Sequence, residues 1–303
     1  MFSRILVPLD GSRFAEVATP IAVRLARDTG AILRFLLVHE TRLSAVPLPE
    51  GAILTADQGA AIREAEGRYL EDLLDRLDPP TVKATAEVVD GTAANTLAEE
   101  ITAWNADLVV MATHGRGPVT RFWLGSVTDY LVRHVSTPML LLRPRDEADW
   151  PAADLHLKTI LVPLDLSPAS EAVLEPAIAL ASLHRAKLEL VHVVEPVVGI
   201  PPSPFPFPVP AMTEVDEQHQ REGDQGLAAI AERTKARGVS TSYTLLVGST
   251  VASAVLEHAE STHADLLALA THGRGGFRRA LVGSVADKII RGTHAPVLIV
   301  RPN

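Results

Sequence analysis

Four motifs in the first half of the chain recur in the second half in the same order. They are ILVPLD (5–10 and 160–165), ATHGRG (112–117 and 270–275), GSV (125–127 and 283–285) and an apolar run that ends in Arg-Pro (138–144 and 296–302). The offset is 155 residues for the first motif and 158 for the other three. Four ordered matches indicate a tandem duplication, so each copy is expected to fold as one domain, over 1–145 and 156–303.

Length and composition favour two globular domains. The chain has 303 residues, and a domain usually takes about 100–200. Hydrophobic residues make up 47% of the chain and aromatic residues only 4%, so the cores should be aliphatic. The absence of cysteine excludes disulfides and thiolate metal sites. A formal charge of −9 argues against non-specific nucleic-acid binding, which needs a basic surface.

Nothing in the hydropathy pattern suggests a membrane protein. The first residues run directly into a strand-like segment, without the charged and apolar regions of a signal peptide. No apolar stretch approaches the roughly 18 residues that span a bilayer. The expected location is the cytoplasm, with no membrane contact.

Each copy alternates short apolar runs with helical patterns. The predicted order is β-α-β-α-β-α-β-α-β, which is typical of a five-stranded parallel sheet with helices on both faces, as in Rossmann-like folds. Pro20 and Pro176 lie at matching places in the first helix and should kink or open it. Ligands of such sheets bind at the carboxyl ends of the strands. The repeated motifs follow these strand ends.

A glycine-rich segment after the fourth strand has features of a phosphate site. It reads Gly115-x9-Gly125-Ser126 in copy one and Gly273-x9-Gly283-Ser284 in copy two. Glycine allows close backbone approach, and the N-terminus of a helix beginning at Gly-Ser attracts phosphate. Arg116 and Arg274 could add positive charge. The same glycines could equally serve only as a turn and a helix cap.

These residues resemble the universal stress protein domain, and the resemblance covers nearly the whole chain as a tandem pair. ATP-binding members of that family carry G-x2-G-x9-G-[ST] after strand four and an acidic residue after strand one, as in Pro8-Leu9-Asp10-Gly11-Ser12. The family fold is a five-stranded α/β sheet of the adenine nucleotide alpha hydrolase type.

The resemblance implies an ATP site in each copy, with or without Mg. The implied residues of copy one are Asp10, Gly91, Ala112, Gly115, Arg116, Gly125, Ser126 and Val127. Those of copy two are Asp165, Val193, Gly248, Ala270, Gly273, Arg274, Gly283, Ser284 and Val285. The aspartates are placed near the adenosine, Val193 after strand two against the base, and the Gly-Ser segments at the phosphates.

Two departures from the family motif lead to expectations about binding. Alanine replaces the first motif glycine in both copies, at Ala112 and Ala270, but it keeps the backbone N–H, so binding should survive unless that position needs a positive φ. Glu40 follows His39 at the place that alignment on the histidines gives to Val193. Copy two is therefore expected to bind more tightly.

Other polar residues have simpler roles. His114 and His272 are expected to cap the glycine loop, and His39 and His192 to be hydrogen-bonded structural residues. Asp129 and Asp287 fall in the first turn of a helix, where acidic residues favour the dipole. No zinc spacing and no catalytic constellation is apparent. The chain is therefore expected not to be an enzyme, with ATP hydrolysis slow at most.

The leading hypothesis is an ATP-binding regulator of stress adaptation. The alternative is a stress-response module that binds no nucleotide and acts through protein partners. In the family that the chain resembles, the last strand pairs domains, so the two copies are expected to form an intrachain pseudo-dimer through 139–142 and 297–300, with a homodimer of chains also possible. Gly283→Val is expected to abolish ATP binding in copy two and leave the fold intact.

Overall fold

The computed structural model describes residues 2–40, 56–77, 82–113, 124–143, 155–196, 212–271 and 282–302. The chain divides into two compact units, Met1–Leu155 and His156–Asn303, here called unit one and unit two.

Unit one is a five-stranded parallel sheet in which helices connect the strands. Its strands lie in the order β3-β2-β1-β4-β5. The elements are β1 (Arg4–Leu9), α1 (Arg13–Glu16), α2 (Ala18–Thr29), β2 (Ile32–His39), α3 (Ala56–Arg76), β3 (Lys83–Asp90), α4 (Ala93–Ala103), β4 (Leu108–Ala112), α5 (Ser126–His134) and β5 (Met139–Leu142).

Unit two repeats this topology, with the strand order β8-β7-β6-β9-β10. The elements are β6 (Thr159–Pro163), α6 (Pro168–Glu171), α7 (Leu174–His184), β7 (Lys187–Val194), α8 (Met212–Lys235), β8 (Thr241–Val247), α9 (Val251–Ser261), β9 (Leu266–Ala270), α10 (Ser284–Gly292) and β10 (Val297–Val300). The predicted α/β fold with two tandem parallel sheets is confirmed.

The predicted helix break before Pro20 and Pro176 is also confirmed. In each unit a four-residue helix ends, and a longer helix begins two residues before the proline. Proline lacks an N–H, and its ring collides with the carbonyl four residues earlier. The break keeps the short helices α1 and α6 directly after the first strand of each unit.

A half-buried aspartate clamp fixes the first strand against the fourth. In unit one the Asp107 carboxylate accepts hydrogen bonds from the backbone N–H groups of Ser3, at 2.7 Å, and Arg4, at 3.0 Å. In unit two the Asp265 carboxylate accepts from the N–H of Lys158, at 2.8 Å. The clamp joins the amino ends of these two parallel strands, opposite the carboxyl edge where α/β proteins bind ligands.

The helix before the second strand ends differently in the two units. Gly30 closes α2 with φ 72°, and Arg185 closes α7 with φ 53°. Glycine adopts this left-handed conformation without the steric penalty of a side chain.

We expect Arg185→Gly to raise the free energy of unfolding by about 1 kcal/mol, measured by chemical denaturation. Gly30→Arg should lower it by a similar amount, and equal stabilities of all three proteins would contradict the explanation.

Candidate functional site

The carboxyl ends of the first, second and fourth strands meet in each unit. In unit one β1 pairs with β2 on one side and with β4 on the other, so Asp10 and Ala112 flank the switch point. In unit two β6 lies between β7 and β9, which places Asp165 and Ala270 in the same way. The convergence that the alternating pattern predicted is therefore present in both units.

The aspartate after the first strand is held in a tight turn. The Asp10 carboxylate accepts a hydrogen bond of 2.8 Å from the N–H of Ser12. The Asp165 carboxylate accepts from the N–H of Ser167 at 2.9 Å and from its hydroxyl at 2.6 Å. Each serine hydroxyl in turn caps the following helix. The carboxylates are half-buried and fixed at the sheet edge.

The Gly-Ser helix start is joined to the end of the fourth strand. The Gly125 N–H donates to the Thr113 carbonyl at 2.9 Å, and the Gly283 N–H donates to the Thr271 carbonyl at 2.7 Å. Both threonines are buried. A Cβ at Gly125 would lie 3.2 Å from the Thr113 oxygen, and one at Gly283 would lie 3.0 Å from the Thr271 oxygen.

The glycines are therefore required because two backbone segments approach closely. Their φ values are −55° and −54°, which any residue can adopt. The sequence motif was compatible with a close approach of the backbone to another group or with a positive φ. The structure shows a close approach to the protein's own backbone.

The first turns of α5 and α10 present polar groups at the same edge. Ser126 and Ser284 are exposed first residues of these helices. The N–H groups of a first turn have no partner within the helix and carry the positive end of its dipole. Val285, which follows Ser284, is 39% exposed. This arrangement can accept an anion.

Asp129 and Asp287 serve their own helices. Asp129 receives two hydrogen bonds from Arg133, at 2.9 and 2.8 Å, and Asp287 receives one from Arg291 at 2.8 Å. Each pair spans four residues of one helix, a spacing that stabilises helices. Their predicted place in the first turn is confirmed.

Alanine at the first motif position causes no backbone strain. Ala112 and Ala270 are the last residues of β4 and β9, and neither has a positive φ. The condition under which alanine would have opposed binding is therefore not met.

The alignment of Glu40 with Val193 is wrong. In the strand ladders Leu33 lies beside Ile5 and Leu188 beside Ile160, so the 155-residue offset of the first strand continues through the second. Val38 is therefore the counterpart of Val193, and Glu40 that of Glu195. Val193 also lies within β7, as its penultimate residue, and not after it. The reason for expecting tighter binding in copy two is removed.

Glu40 has a structural role in unit one. Its carboxylate accepts a hydrogen bond of 2.7 Å from the N–H of Ala93, the first residue of α4. An acidic group at a helix N-terminus stabilises the helix.

The glycines after the third strand turn the chain at the same edge. Gly91 has φ 155°, and a Cβ there would collide with Thr96. The Gly91 N–H donates to the His39 carbonyl, and the Gly248 N–H donates to the Val194 carbonyl, both at 3.1 Å. A Cβ at Gly248 would lie 3.8 Å from Val193, so the structure brings these two residues together.

The two histidines of the second strands are structural, as predicted. His39 is buried and bonds the Glu66 carboxylate through Nδ1 at 2.7 Å. His192 donates from Nδ1 to the Leu164 carbonyl at 2.8 Å, because a carbonyl can only accept.

The middle of the glycine loop falls outside the described ranges in both copies. Gly115, Arg116, Gly273 and Arg274, with His114 and His272, lie outside the described residues. Within the described ranges no group of three or more His, Asp or Glu side chains could hold a metal ion. None of the helices described is long and apolar enough to cross a bilayer.

Sequence reasoning missed three contributors to the site. Val38 could have been found by keeping the 155-residue offset of the first motif. Thr113 and Thr271 recur in both copies of ATHGRG, but nothing in the motif showed that their carbonyls hold the helix start.

Comparison with known proteins identifies relatives over the whole chain. The model of the universal stress protein family matches residues 1–143 and 156–301. A universal stress protein of Mycolicibacterium smegmatis is 29% identical over 98% of this chain and 97% of its own, and one of Mycobacterium tuberculosis is 28% identical over 98% and 96%. The crystal structure of a universal stress protein from Archaeoglobus fulgidus has the same fold, with a TM-score of 0.74 and 18% identity over 99% of this chain and 98% of that one.

Proposed function

The chain belongs to the universal stress protein family, and we propose that it is a regulator of stress adaptation that binds ATP at the carboxyl edge of the sheet in each unit. Binding would bias the conformation of the protein or its choice of partner.

One observation carries the proposal. In both units the N-terminus of the helix after the fourth strand is hydrogen-bonded to the end of that strand, across the switch point from a fixed aspartate. The helix N-terminus suits phosphate groups, and a carboxylate accepts hydrogen bonds from sugar hydroxyls or base amino groups. A nucleotide carries both kinds of group at its two ends.

An adenine nucleotide follows from the family resemblance together with the apolar contact that Val38 or Val193 could offer a base. Mg would be carried by the phosphates, because this ion usually binds substrate phosphates and few protein ligands. Both units have the valine, the aspartate and the Gly-Ser start, so we expect two sites of comparable affinity.

We do not propose an enzyme. Asp10 and Asp165 are engaged by their own turns, and Asp129 and Asp287 by arginines of the same helices. Rapid hydrolysis would need a base oriented towards water, and we assign that role to none of these four carboxylates. ATP hydrolysis is expected to be slow and incidental.

The alternative, a module that acts without nucleotide, rested on the alanines that replace the first motif glycine. Since Ala112 and Ala270 have unstrained backbones, that observation no longer favours it. A protein partner, pairing of the last strands within the chain, and a homodimer all stay predictions.

Ser284→Asp tests the proposed phosphate position. A carboxylate at the first residue of α10 should stabilise the helix through its dipole and yet repel phosphate. The affinity of unit two for ATP should fall about tenfold or more with no loss of thermal stability. Calorimetric titration of the full chain measures the affinity.

Ser240→Asp is the matched control. Ser240 is exposed and precedes β8, at the amino ends of the strands. The same change of charge there should leave ATP binding unaltered. Equal affinities of the two variants would mean that the phosphates lie elsewhere.

A further inference from the structure

Helix α8 contains two glycines three residues apart, Gly223 and Gly226. Glycine is among the least favourable residues in a helix interior, and residues at this spacing lie on one face. A Cβ at Gly223 would lie 3.1 Å from Cδ2 of His192, and one at Gly226 would lie 2.8 Å from Cδ1 of Leu166. We call these two glycines the glycine face of α8. It makes room for the imidazole, for Leu245, whose Cδ1 would lie 3.0 Å from a Cβ at Gly223, and for Leu166.

The imidazole contacts the residue before Asp165, and the leucine is the residue after it. His192 donates from Nδ1 to the carbonyl of Leu164, the residue before the aspartate, at 2.8 Å. Leu166, the residue after it, has φ 64°, a conformation that leucine rarely adopts. Its side chain packs against Gly226, where a Cβ would lie 2.8 Å from Cδ1. Asp165 thus lies between two residues whose contacts involve the glycine face of α8.

Unit one forms the corresponding turn, around Asp10, with other residues. Gly11 takes the left-handed position, with φ 75°, and Leu37 takes the place of His192. The counterparts of the two helix glycines are Glu66 and Tyr69, because the ion pairs Glu16–Arg76 and Glu171–Arg233 align the long helices. Leu37 has no donor, so the hydrogen bond to the carbonyl before the aspartate is particular to unit two.

Tyr69 fills space in unit one where unit two has Gly226. Burial, and then the nearby Glu16 carboxylate, raise the pKa of the Tyr69 hydroxyl above its ordinary value. In unit one the large residue is Tyr69 of α3 and the small one is Gly11. In unit two the large residue is Leu166 and the small one is Gly226 of α8.

We propose that His192 is a positioning residue for nucleotide binding in unit two, acting through the Leu164 carbonyl and supported by the glycine face of α8. The inference rests on the proposed function for its ligand, but the hold on the Asp165 turn exists without nucleotide. Asp165 would contact the ligand, and His192 would not.

The test compares His192→Leu with His192→Asn in the full chain. Leucine is the residue of unit one and removes the donor, whereas the Asn side-chain amide can donate from nearly the position of Nδ1. Without nucleotide, amide hydrogen exchange over 164–167 should be about tenfold faster in His192→Leu and close to that of the parent in His192→Asn. Thermal unfolding should be similar for all three.

ATP affinity provides the second measurement, with the site of unit one blocked by Ser126→Asp in every protein. His192→Leu should weaken binding about five- to tenfold, the effect of one lost hydrogen bond, and His192→Asn should restore most of it. Unchanged exchange in His192→Leu would overturn the proposal, as would faster exchange with undiminished affinity. If the parent binds no ATP, the proposed function fails, and the exchange comparison still decides whether His192 holds the turn.

Gly226→Ala tests the glycine face separately. The added methyl group would displace Leu166, so exchange over 164–167 should rise although alanine favours helix. Gly67→Ala in α3 is the control, because a Cβ there meets nothing within 4 Å. If both variants leave exchange at 164–167 unchanged, the glycine face does not support the turn.

Discussion

Gly283→Val is expected to lower the free energy of unfolding by about 2 kcal/mol and to abolish ATP binding in unit two. The added Cβ would lie 3.0 Å from the carbonyl oxygen of Thr271, before the two methyl groups are counted. Thr271 is fully buried, and its N–H donates to the Val300 carbonyl at 2.9 Å. Thr271 is tied to the sheet by this bond, so we expect a loss of stability in this variant, whereas the sequence alone predicted an intact fold.

Chemical denaturation of the full chain measures this effect. Gly59→Val is the control, because Gly59 lies in α3 with nothing within 4 Å of a Cβ. Gly125→Ala should cost less than Gly283→Ala, since the corresponding distance is 3.2 Å. A Gly283→Val protein as stable as the parent would show that the backbone contact with Thr271 is not tight.

Glu189→Arg should have a still larger effect on stability. The Glu189 carboxylate is buried in β7 and lies 2.7 Å from His258 Nε2 of α9 and 3.7 Å from Lys187 Nζ. An arginine there would be a buried cation beside a histidine and a lysine. A loss of about 3 kcal/mol or more in the free energy of unfolding is expected, the usual result of leaving a buried charge unpaired.

Unit one shows how the loss can be repaired. The counterpart of Glu189 is Arg34, whose Nη2 lies 2.7 Å from Oε2 of Glu87 and 2.9 Å from Oε2 of Glu100. Glu100 is the counterpart of His258. Adding His258→Glu to Glu189→Arg recreates part of this arrangement and should recover most of the stability. The account is contradicted if the single variant is as stable as the parent or if the double variant is no more stable than the single one.

The sequence predicted most of the fold because the apolar runs are short and bounded by glycine, proline or aspartate. The strands Met139–Leu142 and Val297–Val300 have the bounds that their apolar residues indicated. Pro20 and Pro176 also broke their helices as expected, because the constraint is local and steric.

The site was predicted less completely, because alignment within the duplication depends on strand register. Matching His39 with His192 shifted the second strand by two residues and placed Glu40 where Val38 belongs. That alignment followed the two histidines and not the 155-residue offset of the first motif. The exchange of Gly11 and Tyr69 for Leu166 and Gly226 could not be predicted either, because the partners are distant in sequence and meet only through packing.

Each unit is expected to bind one ATP at the carboxyl edge of its sheet. Calorimetric titration of the nucleotide-free full chain with ATP tests it most directly. We predict two ATP per chain, with binding at one site weakened about tenfold or more in Ser126→Asp, at the other in Ser284→Asp and at both in the double variant. A folded parent chain that binds no ATP at millimolar concentration, or a double variant that binds two with undiminished affinity, would contradict this expectation.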